Sequence, residues 1–144
     1  MSERPNGQRR PDPLVLASGI FLAANLLHGF DHLRTGTERL TTEVRGGGFL
    51  ITVAAAAMVY LALRRHPRAP LIAALIGSWS AVLIASAHFA PHWSAFSDSY
   101  WDLSADPFSW AVAAAEVMAA LVLSLVGSIA LRRQADPRNH ARAV

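Results

Sequence analysis

The chain has 144 residues, of which 53% are hydrophobic and 16% charged, with a mean hydropathy of +0.30; long uncharged runs between charged clusters exclude an ordinary soluble domain. All 13 basic residues are arginine and the net charge is +3, but no basic patch alternates with stacking aromatics, so anionic lipid headgroups and not nucleic acid are the expected electrostatic partner. The absence of cysteine excludes disulfides, thiolate zinc sites and iron–sulfur clusters.

Residues 1–13 are polar, basic and broken by proline, the composition of a disordered tail. Arg9-Arg10 precedes an apolar run, yet Pro11 and Asp12 follow at once, which does not fit a twin-arginine signal. Small residues at Ala23 and Ala24 would suit a cleaved signal peptide, but the run from Leu14 continues into a polar helix end with no small-residue break after it, so an uncleaved first span over about 14–33 is the preferred expectation. A charged loop follows over 34–46, then a short second span over about 47–63. The basic turn Arg64-Arg65-His66-Pro67-Arg68 ends that helix, because proline cannot continue it.

A third span covers about 70–90 and stops at Pro91. Residues 91–106 hold three aspartates and the interface-type rings Trp93, Tyr100 and Trp101, with no arginine. Asp106 as N-cap and Pro107 at the first helical position start the fourth span, expected over about 107–131, with a second disordered tail over 132–144. The fold class is therefore an all-α, polytopic bundle of four transmembrane helices. Ten of the 13 arginines lie in the two tails and the turn after span two, which places both termini in the cytoplasm of a plasma (inner) membrane and the other two loops outside.

Small and polar residues mark the faces on which membrane helices approach each other. Span one carries Ser18, Asn25, His28 and His32 on one stripe; span three carries Ser78, Ala81, Ala85 and His88; span four carries Ser109, Ala113, Glu116, Ala120 and Gly127. Span two has only Thr52 and Tyr60 and reads as a wall. Such faces also suit a homo-oligomer or another membrane protein as partner.

Two histidine pairs then stand out. His28 and His32 are four residues apart, as are His88 and His92, and i,i+4 residues share a helix face. Six histidines scattered at random over 144 positions give only about 0.2 such pairs. Glu116 lies nine residues into span four, about 13–14 Å from its start, and a carboxyl at that depth is expensive unless it has a function. Topology brings all five groups to the outer half of one bundle.

Imidazoles and a carboxylate are a ligand set for divalent transition metals, zinc foremost. His28, His32, His88 and His92 are the expected ligands. Glu116 is expected as a further ligand or as the base that activates metal-bound water, and Asn25 and Asp31 as supporting partners. If such a site is catalytic, the expected chemistry is hydrolysis of a lipid or periplasmic substrate, with residues 93–106 as a lid. Two other classes fit the same residues: haem held by one histidine from span one and one from span three, and a non-catalytic subunit that senses pH through its histidines. Histidines at helix ends also serve as plain interfacial anchors.

Overall fold

The computed structural model describes residues 11–136, and the expected tails lie mostly outside that range. Four helices run up and down: α1 (Pro13–Thr35), α2 (Thr42–Leu63), α3 (Ala69–His88) and α4 (Pro107–Ala135). A single 3₁₀ turn, Thr37–Arg39, lies between α1 and α2. Each helix is long and apolar enough to cross a membrane, so the chain is a multi-pass membrane bundle. Leu26, Leu33, Phe49, Leu50, Trp79 and Leu125 are more than half exposed, the outward display that lipid and not water can cover.

Three helices carry a proline in their first turn, where its missing N–H is not needed. Asp12 accepts from the Leu14 amide at 2.9 Å and Asp106 from the Ser109 amide at 2.9 Å, so two of the N-termini have side-chain caps. Only the Asp106 cap was expected; the Asp12 cap and a third, at Thr41, were not. Thr41 accepts from the Val44 amide at 3.2 Å, so α2 begins at Thr42 and not near 47, and Gly46-Gly47-Gly48 stay helical. The connection expected over 34–46 shrinks accordingly, since α1 also continues to Thr35.

At the other boundaries α4 takes in Arg132 and Arg133, which the sequence assigned to a tail, while α3 stops at His88. Pro91 restricts the residue before it to extended backbone, so the helix cannot be carried through to His92.

The tightest seam joins α3 to α4. A Cβ on Gly77 would stand 2.5 Å from the Ala120 carbonyl oxygen and from the Ser124 amide nitrogen, and one on Gly127 would stand 2.6 Å from the Ala74 nitrogen. Backbone meets backbone there because no side chain intervenes. Ser124 bonds both the Ser78 hydroxyl at 2.7 Å and the Ala74 carbonyl at 3.2 Å across the seam. The expected α4 stripe is fully buried, whereas α3 turns a slightly different face inward: Ala73, Gly77, Ala81, Ile84 and His88 are buried and Ser78 is exposed. Phe21, Met58 and Leu123 fill the core. The buried residues of α2 are Ala55, Met58 and Ala62, all in its second half; toward its start it stands away from α3.

Candidate metal centre

At the end of the bundle opposite the arginine turn, three imidazoles converge. The ring centroids of His28 and His32 are 4.6 Å apart, of His28 and His88 4.7 Å, and of His32 and His88 5.4 Å. One ring nitrogen from each can be chosen so that all three lie within 4.8 Å of one another. Zinc–nitrogen bonds of about 2.0–2.1 Å in a tetrahedral site put ligand nitrogens about 3.3 Å apart, so the rings would have to draw together to hold an ion.

Helical spacing explains the convergence. His28 and His32 share a face of α1, and His88 ends α3 on its buried face, where the small residues beneath let the helices approach. His88 and His28 are 3% and 5% exposed; His32 is half-buried. His92 is not part of this group. It lies four residues beyond the end of α3 and is exposed, so the expected second pair exists in sequence but not on a helix.

Glu116 meets the group from α4. Its Oε2 bonds His28 Nδ1 and its Oε1 accepts from Asn25 Nδ2 at 2.7 Å. Asn25 Oδ1 in turn accepts from the Thr52 hydroxyl at 2.7 Å. Both carboxylate oxygens are therefore occupied, and Glu116 stands behind the His28 ring. A carboxylate on Nδ1 fixes the tautomer and leaves Nε2 as a lone pair. That nitrogen lies 3.0 Å from the Tyr100 hydroxyl, a contact that a metal on Nε2 would replace.

Asp31, expected as a supporting partner, is buried, and its side chain bonds an arginine. Arg34 holds it through Nε at 2.9 Å and through a terminal nitrogen at 2.7 Å, and the same guanidinium reaches Asp106 at 2.7 Å. Asp31 belongs to a clip that fastens α1 to the start of α4. The Ser109 amide, followed by Arg34, holds the Asp106 carboxyl below the usual range.

The residues that sequence reasoning missed come from the connection between α3 and α4. Asp98 donates its amide to the Ala87 carbonyl at 2.9 Å and Tyr100 its amide to the His88 carbonyl at 3.0 Å. These bonds satisfy carbonyls that the end of α3 leaves unpaired and fold the segment back over the histidines. The indole N–H groups of Trp93 and Trp101 bond the Ser86 and Phe89 carbonyls at 2.8 and 3.0 Å. Asp98 Oδ2 then lies 3.6 Å from His88 Nδ1 and 3.9 Å from His32 Nδ1, and its carbonyl oxygen is 3.2 Å from His88 Nδ1. Burial pushes the Asp98 carboxyl up, with His28 opposing; burial and then Asp98 push the Tyr100 phenol up. The sequence signal for either residue is the short polar run Ser97-Asp98-Ser99, which begins nine residues beyond the end of α3.

The ring contacts also bear on haem. His28 and His88 pack edge to face with ring centroids 4.7 Å apart, so a haem with one axial ligand from each would require the rings to move apart. Comparison with family models, with curated proteins and with solved structures finds no match to this chain.

Proposed function

We propose that this membrane protein binds one divalent transition metal, zinc first, through His28, His32 and His88, and uses it for hydrolysis at the outer face of the plasma membrane. The observation that carries the reading is the buried convergence of three imidazoles from two helices, with ligand atoms within 4.8 Å. Its support is the outer hydrogen bonding. His28 and His88 each turn Nδ1 to an oxygen, of Glu116 and of the Asp98 backbone, the arrangement that orients metal-bound histidines. Three protein ligands leave a fourth position for water, as in catalytic zinc sites.

In this reading Glu116 orients His28, and Asp98, whose Oδ2 lies 3.6 Å from His88 Nδ1, orients His88. The placement outside rests on the arginines, which collect at the opposite end. Elemental mass spectrometry of the detergent-purified chain is the test. About one metal per chain is expected in the wild type, with loss in His28→Ala and His88→Ala. Sub-stoichiometric metal that is the same in all three proteins would overturn the reading.

A further inference from the structure

The histidine group is reached from two sides. A polar pocket of about 180 Å³ lies at the end of the bundle, walled by Asp31, His32, Asp98, Tyr100 and Asp106, with room for several waters. A much larger groove, about 1050 Å³, opens sideways between α2 and α3 with α1 as its floor. His32 lines both spaces.

The groove is hydrocarbon-like along its walls and polar at its base. Phe30, Phe49, Leu75, Trp79 and Leu83 form the walls, while Asn25, His28, His88 and Glu116 form the base. Gly47 and Gly48 keep the α2 wall bare, and a Cβ on either would meet nothing within 4 Å. At the rim sits Arg45, exposed and with no ion pair among the described residues. The Thr52–Asn25 bond sets the relative height of α1 and α2. Arg45 is seven residues above Thr52 and His32 seven above Asn25, so both stand about 10 Å above that bond. A cation and the metal-binding group thus face the groove at one level.

We propose that the groove admits one acyl chain of a glycerophospholipid, with its phosphate on Arg45 and its ester carbonyl at the histidines. This rests on the metal reading for the chemistry at the base and names the substrate class of that site. The occupant follows from three features: the mouth opens within the membrane-spanning length, the walls are apolar, and a single positive charge marks the level where a phosphate would lie. An apolar helix from a second copy would instead set hydrocarbon against the polar base. Water enters by the separate polar pocket. Its oxygen bonds to the acyl carbon, the ester C–O bond breaks, and a water proton ends on the departing glycerol oxygen, giving a fatty acid and a lysophospholipid.

The test uses the full chain with dioleoylphosphatidylglycerol, reading bound lipid by native mass spectrometry, metal by elemental analysis and released oleate by chromatography. The wild type is expected to hold one lipid. Gly47→Trp fills the groove and should lose the lipid while keeping the metal; His88→Ala should do the reverse; both should lose oleate release. Arg45→Ala should weaken lipid retention about fivefold, the worth of about 1 kcal/mol per basic residue. A lipid with a photoreactive acyl chain should label the wild-type groove at Phe49 and Leu83 in preference to Met118 and Leu125 on α4. Lipid held without metal would overturn the metal reading alone. Metal held without lipid, a dimer in place of a lipid adduct, equal retention by a folded Gly47→Trp, or even labelling around the bundle would overturn this inference.

Discussion

Gly77→Ala should loosen the bundle although alanine is the better helix former. The added Cβ would sit 2.5 Å from the Ala120 carbonyl oxygen and the Ser124 nitrogen and 2.9 Å from Ser124 Cα. All three are backbone atoms, which cannot rotate away. To restore ordinary contact α3 and α4 must separate by about 0.9 Å at this level, which strains the Ser78–Ser124 and Ser124–Ala74 bonds. Overpacking of this kind costs about 1–3 kcal/mol, against a helix-propensity gain of at most about 1 kcal/mol. The net effect is destabilising. Gly19→Ala makes the same chemical change in α1, where nothing lies within 4 Å, so it should be neutral or stabilising by up to about 1 kcal/mol. Reversible unfolding in mixed micelles, as a function of the mole fraction of denaturing detergent, gives both values. His88 is eleven residues from Gly77, about 16 Å along the helix, so metal content should survive in folded Gly77→Ala. Equal stability of the two variants would refute the claim that backbone contact sets the α3–α4 distance.

Glu116→Gln puts an amide where Asn25 and His28 both require an acceptor, so one buried donor loses its partner. Metal affinity should fall about 10–100-fold and stability by about 1–3 kcal/mol, read by competitive chelation and by unfolding; an unchanged affinity would remove Glu116 from the site. His92→Ala should bind metal as the wild type does, since that ring is exposed beyond α3; metal loss in this variant would mean that α3 extends further than described. Asp106 has a depressed carboxyl pKa, so its contribution to stability is present above the unfolded value and is lost as pH falls through the folded one. Wild type should therefore lose stability relative to Asp106→Ala as the pH drops below about 4, and parallel pH profiles for the two would show that the Ser109 and Arg34 contacts contribute nothing.

The four spans were legible because apolar runs of membrane length are interrupted by charge, and because Pro107 after Asp106 marks a start. The beginning of α2 was not. Three successive glycines read as a break in a single sequence, yet they lie inside α2, which starts upstream at the Thr41 cap. The site was legible where it lies within helices: His28, His32, His88 and Glu116 fall on faces that periodicity can assign. His92 shows the limit of that logic, since i,i+4 spacing means proximity only where a helix exists to impose it. Asp98 and Tyr100 lay beyond reach for another reason. They arrive through backbone bonds to the last carbonyls of α3, and nothing in their spacing encodes the path of the segment that brings them back.

The lopsided seating of α2 makes it a cantilever. Its buried residues, Ala55, Met58 and Ala62, clamp the end near the arginine turn, while the end near the histidines is tied by the side-chain bonds Thr52–Asn25 and Thr41–Ala95. Such bonds average only about 0.6 kcal/mol each in a bilayer, so this end is held more weakly than the other. The three histidines ride on α1 and α3, and α4 is locked to both by the glycine seam and the Arg34 clip. α2 is thus the least tied of the four helices, and the lateral groove opens on its side of the bundle.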